Sequence, residues 1–316
     1  MIGKDIEEAV KFLNAGQAVA IPTETVYGLA ANALDELAVA KVFEIKERPK
    51  FNPLILHVPS INDAKKYTLD WPEDATKLAE NFWPGPLTLL LPKNELIADL
   101  VTAGSERVAV RVPNHQSTLN LLNKLAFPLV APSANPFQYL SPTTAKHVDD
   151  QLGEKVPYIL DGGPCQVGIE STIIGFEEGK VVIYRLGGIP REKIEKTLEK
   201  EVEIKNFSEQ PEAPGMMRLH YAPKKKIIIG NPIQLSLVFR AKRMGILTFS
   251  RDVRGKNIIL NKVLSRTENF QEAAANFFNY LHELEAADIE VILAEKLPGN
   301  SLGKAINDRL ERAAGK

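Results

Sequence analysis

The sequence predicts an α/β fold, with a large twisted mixed sheet and flanking helices followed by a smaller Rossmann-like α/β domain. Three observations carry this. Strand-length apolar runs alternate with helical stripes over residues 1–206, and strands outnumber helices. A proline-rich stretch at 207–226 interrupts that rhythm. Strand and helix then alternate over 227–316, the pattern of a small sheet with crossover helices. At roughly 100–200 residues per domain, 316 residues suit two such units joined by a linker.

Ile6, Ala9, Val10 and Leu13 recur at i, i+3, i+4 and i+7, one face of an amphipathic helix. Ala18-Val19-Ala20-Ile21 then reads as a strand that Pro22 ends. Asp35 is placed to cap a second helix burying Val39, Val42 and Phe43. Pro49 closes it, because the residue before a proline is pushed out of the α region. Further strands are read at 54–58, 87–91, 108–112, 158–160, 171–174 and 181–184, several of them apolar throughout, as buried strands are. The stretch 207–226 holds Pro211, Pro214, Gly215 and Pro223. It also holds Met216, Met217, Leu219, His220 and Tyr221, more apolar and aromatic surface than an inert tether carries. Beyond it come strands at 227–229, 245–249, 258–260 and 289–293. Between the last two runs a helical stripe of Phe270, Ala273, Ala274, Phe277, Leu281 and Leu284; Leu302, Ala305, Ile306 and Leu310 mark a final helix.

Composition narrows the function by exclusion. A net charge of −1 gives no sign of a polyanion as main partner, although a local basic groove can still bind phosphates. Cys165 is the only cysteine, so neither an intrachain disulfide nor a cysteine-based zinc site forms, and a reducing, cytoplasmic setting is expected. No run approaches the ~20 apolar residues of a membrane span, and the N-terminus lacks a signal-peptide core. His57, His115, His147, His220 and His282 show no H-x-x-x-H spacing, so no protein-held metal is expected. The run from Gly299 to Lys304 glances at a phosphate-binding loop. It is one residue short, with Ala305 where the magnesium-binding hydroxyl belongs, and reads as a loop-to-helix junction.

What remains is a set of polar residues stranded among prolines at strand ends. The segment from Pro22 to Leu29 follows a buried strand; its hydroxyls and carboxylate suit a small polar ligand, or equally a turn in which Thr23 and Thr25 satisfy the backbone. Lys46, Arg48 and Lys50 crowd one helix end, in a segment that Pro49 and Pro53 stiffen. A helix C-terminus favours cations in any case, but a stiff basic loop can also hold phosphates. Ser133 and Asn135 lie between Pro132 and Pro136; Gly168 to Thr172 and Tyr184 to Gly188 complete the set. Together these put hydroxyl, amide and guanidinium groups at strand ends around one sheet, where open α/β folds place ligands.

Read in order, the segments are PTETVYGL at 22–29, the K-x-R of Lys46 and Arg48 with NPL after it, and GPLTLLL at 85–91. RVP at 111–113, the S-x-N of Ser133 and Asn135, GIESTI at 168–173 and RLGG at 185–188 continue the series. PGM and HYAP within 214–223 and GKAINDRL at 303–310 complete it. End to end, this series resembles the YrdC-like family in its long two-domain form, the L-threonylcarbamoyladenylate synthases. Two positions depart from the family's usual pattern: Arg107, where a small hydroxyl residue is common, and Arg218, where an aromatic is common.

The resemblance implies a nucleotidyltransferase that joins ATP, L-threonine and bicarbonate into threonylcarbamoyl-AMP and pyrophosphate, with Mg²⁺ accompanying ATP. It implies domains at 1–206 and 227–316, with 207–226 as linker. Lys46 and Arg48 would act on the triphosphate; Arg48, Asn52, Ser133, Asn135, Ser141, Arg185 and Tyr221 would contact ATP. Thr25, His57, Arg111, the backbone of Ala131 and Ser171 would form the threonine site, with Arg111 taking the carboxylate in a bidentate fork. The product would pass to a tRNA threonylcarbamoyl-transfer enzyme, with no membrane and no stable nucleic-acid binding required. The linker would be a lid keeping water from the carbamate and the mixed anhydride, the plainer reading being that HYAP docks the two domains. The alternative function is a non-catalytic RNA-binding module using the same basic groove. A carbamoyl-transfer role is disfavoured, because the extra domains of such proteins are missing.

Overall fold

A computed structural model describes residues 1–205 and 221–315. Its first sheet contains β1 (Ile2–Gly3), β2 (Val19–Ile21), β3 (Gly28–Asn32), β4 (Ile55–His57), β5 (Leu87–Pro92) and β6 (Arg107–Arg111). β7 (Leu129–Val130), β8 (Tyr158–Leu160), β9 (Thr172–Glu177), β10 (Lys180–Arg185) and β11 (Glu203–Ile204) complete it. The spatial order is β1-β8-β2-β3-β7-β4-β6-β5-β9-β10-β11, with parallel and antiparallel neighbours mixed. β12 (Lys226–Ile229), β13 (Met244–Thr248), β14 (Ile258–Val263) and β15 (Val291–Ala294) form a second, wholly parallel sheet in the order β12-β15-β13-β14.

The strands read from the sequence all appear, shifted by a few residues at their ends. β1, β3, β7 and β11 were not read: β1, β7 and β11 are two-residue strands, and β3 runs directly on from the polar segment taken as a ligand loop. The first helix is Ile6–Asn14, with Asp5 accepting from the Glu7 amide. Asp35 caps Glu36–Lys46 by accepting from the amides of Leu37 and Ala38. That helix stops at Glu47, whose φ of 54° is left-handed, two residues ahead of Pro49. Gly303 opens the last helix, Gly303–Ala314, so the Gly299 to Lys304 run is a loop-to-helix junction.

Period-two alternation divides the large sheet into two faces. Leu54, Leu56, Val58, Val108, Val110, Val112, Val181 and Ile183 join the main core. Ile55, Leu90, Ala109, Ile173, Val182 and Tyr184 form a separate apolar layer opposite. His57 and Arg111, two positions on from Ile55 and Ala109, fall on that second face.

The two sheets share a packed seam. The helix Phe270–Ala286 buries Ala273, Ala274, Phe277, Phe278, Leu281 and Leu284. The same cluster takes in Val26, Leu140, Ile169 and Tyr221. Gly168 sits at φ +74°, and a Cβ there would come within 2.4 Å of the Ala274 carbonyl oxygen. Only glycine permits so close an approach of the 168–172 loop to the second-domain helix.

Candidate active site

A cavity opens on the second face, lined by residues from every first-domain segment of the motif series except GPLTLLL, and by Tyr221. Of the residues predicted for the site, Arg48, His57, Arg111, Ala131, Ser133, Ser171, Arg185 and Tyr221 reach its wall. Thr25, Lys46, Asn52, Asn135 and Ser141 stand behind it, each buried.

Arg111, at the end of β6, is braced on three sides. Its Nη2 pairs with Glu24 Oε1 at 2.6 Å, Nη1 donates to Thr25 Oγ1 at 2.9 Å, and Nε donates to the Gly85 carbonyl at 3.3 Å. Thr23 Oγ1 accepts from the amides of Thr25 and Val26 and bonds Thr25 Oγ1 at 2.8 Å. The PTET segment is therefore both things the sequence left open: a self-satisfied hydroxyl turn, and the support of a ligand-facing guanidinium.

His57 lies in a dry wall. Burial first, then Arg111, pulls its imidazole down to about 3, so the ring is neutral. Nδ1 is 3.1 Å from the Ile55 carbonyl, which can only accept, so Nδ1 carries the proton and Nε2 keeps a lone pair. Ser171 Oγ bonds Thr88 Oγ1 at 2.7 Å and accepts from Arg185 Nη2 at 3.0 Å. The Ala131 amide is committed to the Ile55 carbonyl at 3.0 Å, so it is the Ala131 carbonyl that can serve a ligand.

Arg185 reaches the cavity through an irregularity. Strict alternation would send it to the core with Val181 and Ile183, but the β9–β10 register shifts between Ile183 and Arg185. Such a bulge re-aims the side chain. Its Nε and Nη2 donate to the Ser171 carbonyl at 3.0 and 2.9 Å. A Cβ on Gly187 would lie 2.4 Å from the Glu170 carbonyl oxygen, which is why the RLGG segment can lie so close to GIEST. Burial foremost lowers Arg185 to about 10; burial and then Arg185 lower Arg48 to about 9. Arg48 is fixed by the carbonyls of Asn52 and Pro53, at 3.2 and 2.9 Å. Guanidiniums crowded out of water in this way favour a polyanionic ligand.

Lys46 departs from its expected position. It is 1% exposed, and its Nζ donates to the carbonyls of Ser133 and Asn135 instead of reaching the cavity wall. Burial, with Arg48 beside it, pulls its ammonium well below the usual lysine range. Lys46 thus pins the S-x-N loop. Arg107 stands at the far end of β6, where Nη1 donates to the Tyr184 hydroxyl at 2.9 Å.

Two carboxylates were not assigned from the sequence. Glu24 is the partner of Arg111, and Glu170 lines the cavity with its Oε1 accepting from Ser141 Oγ at 2.6 Å. Their only signal was membership of PTET and GIEST, and an acid in an anion-binding wall runs against first expectation. Tyr221, at φ 67°, is 1% exposed, and its ring lies 5.4 Å from that of Phe278. Burial pushes its phenol up to about 12, so it stays protonated. Residues 206–220, with Met216, Met217, Arg218, Leu219 and His220, lie outside the described residues, and so does most of the expected lid.

Residues 11–187 match the Sua5/YciO/YrdC family, described as "Telomere recombination", and residues 189–315 match "Threonylcarbamoyl-AMP synthase, C-terminal domain". The chain is 39% identical to a threonylcarbamoyl-AMP synthase of Pyrococcus abyssi, over 98% of this chain and 94% of that protein. It is 37% identical to one of Bacillus subtilis, over 98% and 93%. Among solved structures, the P. abyssi Sua5 complexed with L-threonine superposes with a TM-score of 0.93 at 37% identity, covering 100% of this chain and 97% of that one.

Proposed function

The chain belongs to the Sua5/YciO/YrdC family in its long form with a threonylcarbamoyl-AMP synthase C-terminal domain, and from this we infer the chemistry of its cavity. The chain is an enzyme that forms threonylcarbamoyl-AMP. The observation that carries the reading is the convergence of Arg48, Arg111 and Arg185 on one buried cavity that also holds His57 and Ser171.

The proposed reaction uses ATP, L-threonine and bicarbonate, with Mg²⁺ entering as part of the ATP substrate. The threonine amine and bicarbonate give a carbamate and water. A carbamate oxygen then attacks the α-phosphorus, the bond to the β-phosphate oxygen breaks, and pyrophosphate leaves. No side-chain nucleophile is required; positioning and charge stabilisation carry the rate. Arg48 and Arg185 suit the triphosphate and the departing pyrophosphate. Ser133 reaches the same wall, while Lys46, Asn52, Asn135 and Ser141 support it from behind, so their part in ATP binding is to shape the loops. Arg111 suits the threonine carboxylate, with Glu24 and Thr25 fixing the fork. Tyr221 suits the nucleotide, and Ser171 with His57 suits threonine.

The product would supply tRNA modification through a separate threonylcarbamoyl-transfer enzyme in the cytoplasm. Among the described residues no helix is long and apolar enough to cross a membrane. An RNA-binding module is disfavoured, because the guanidiniums line a cavity and are each at least nine-tenths buried, out of reach of a polyanion on the surface. The test is pyrophosphate release with each substrate omitted in turn. Release that needs both threonine and bicarbonate is expected; release indifferent to threonine overturns the reading.

A further inference from the structure

The GKAINDRL segment carries Arg309, for which the reaction above has no use. It sits on the helix Gly303–Ala314 of the second domain and is 0% exposed. Yet its guanidinium is directed across the seam. Nε donates to Glu170 Oε2 at 3.1 Å, and the guanidinium carbon lies 5.7 Å from the centre of the Tyr221 ring. Glu170 and Tyr221 both line the cavity. On its own helix, Arg309 Nη1 donates to the Ala305 carbonyl at 3.3 Å and to Asp308 Oδ2 at 3.2 Å. Asp308 is held in turn by Arg312 Nε at 3.0 Å. The i and i+4 spacing of Ala305, Asp308, Arg309 and Arg312 makes this one braced face.

A buried ion pair that merely joined two domains would not need to end on a cavity wall. Here Ser141 holds one oxygen of Glu170 and Arg309 the other, so the carboxylate is fixed at both ends beside Arg185. Resting on the function proposed above, we propose that Arg309 is a positioning residue for adenylate synthesis, by which the second domain fixes Glu170 and Tyr221 against the ATP side of the cavity. Burial alone would push Glu170 up; Arg309 first, then Arg185 and Ser141, outweigh it and hold the carboxyl below its usual range.

The experiment compares Arg309→Met, Arg309→Lys, Glu170→Gln and the Glu170→Gln/Arg309→Met double variant in the full chain. Threonine-dependent pyrophosphate release is measured against ATP, threonine and pH, alongside melting temperature. Arg309→Met is expected to raise the ATP KM about ten- to a hundredfold, the usual weight of a hydrogen bond to a charged group, with the threonine KM nearly unchanged. Its acid limb moves to higher pH, because Glu170 then takes a proton more readily. Arg309→Lys recovers most of the loss, and Arg309→Met adds little once Glu170 is already Gln, since coupled residues are non-additive. An unchanged ATP KM and acid limb with a lowered melting temperature would mark a purely structural contact and overturn the proposal. So would losses that multiply in the double variant. If Arg309→Met fails to fold, Arg309→Gln in both backgrounds makes the same comparison. Absence of threonine-dependent release from the unaltered protein would sink the proposed function instead.

Discussion

Arg48, Arg111 and Arg185 are only 8%, 3% and 7% exposed, and a charged contact made in so dry a site is worth more than the same contact in water. Arg48→Ala should therefore lower adenylate formation by about 10²–10³, as removal of a preorganised donor does, with threonine affinity little changed. Turnover within about twofold of the unaltered enzyme would contradict the triphosphate role. Lys46→Ala should also lose activity, but by a different route. It strips a buried donor from the Ser133 and Asn135 carbonyls, so stability should fall by about 1–3 kcal/mol in a denaturant titration. An unaltered midpoint would show that Lys46 pins nothing. In the proposed threonine site, the Nε2 lone pair of His57 would be the hydroxyl reader. Serine should then lag threonine by only about 1–3 kcal/mol, and valine should be rejected more strongly because it leaves that lone pair unpaired. Parallel assays of the three amino acids decide it; equal use of valine and threonine would exclude a reader. The wall residues were legible through the ordered series of motifs; by chemistry alone the PTET hydroxyls read equally as a turn and the basic run as a helix end. Glu24 and Glu170 were not legible, since their partners Arg111 and Arg309 are set by the fold.

At the level of elements, alternation places Ile55 with His57 and Ala109 with Arg111 on one face, and that much can be read from the sequence. The bulge that turns Arg185 cannot, because the same alternation predicts a core position for it. The stripe of Phe270–Ala286 was legible, but not its second use as the back of the cavity, where Phe278 meets Tyr221. Against the same helix, His282 stacks on His147 at 3.9 Å between ring centres. His282 Nε2 lies 3.1 Å from the Ser141 carbonyl, and the Thr143 amide donates to His147 Nδ1 at 3.3 Å. Burial first lowers both, His147 to about 3 with His282 as its next cause; Asp150 and Glu285 oppose this only in part. Their folded values lie below the ordinary ~6.5, so as pH falls through that value the unfolded chain takes up protons that the folded chain refuses. Stability should drop from about pH 6.5 downward, and a His147→Gln/His282→Gln variant should show a shallower drop in melting temperature. Equal slopes would mean that these rings do not carry it; His57, buried and neutral, adds to the same trend and should be unaffected by the change.

At the scale of the whole molecule, the second domain backs the cavity of the first, through Arg309 on Glu170 and Phe278 on Tyr221. Arg309 reaches Glu170 across 139 positions of sequence, a contact that no local pattern announces. The two-domain layout was legible because its signals are local: strand runs, a proline-rich break, a helical stripe. The shared cavity depends on how those units pack, and packing places Tyr221 between the sheet that binds and the helix that braces. The central claim, that this cavity joins threonine to AMP through a carbonyl taken from bicarbonate, is tested most directly by isotopic labelling. The enzyme is mixed with Mg·ATP, threonine and carbon-labelled bicarbonate, and the nucleotide product is weighed by mass spectrometry as pyrophosphate is counted. The expected result is one pyrophosphate for each adenylate, with threonine and the labelled carbonyl together in the product. Pyrophosphate formed without threonine, or an adenylate that lacks the label, would contradict it.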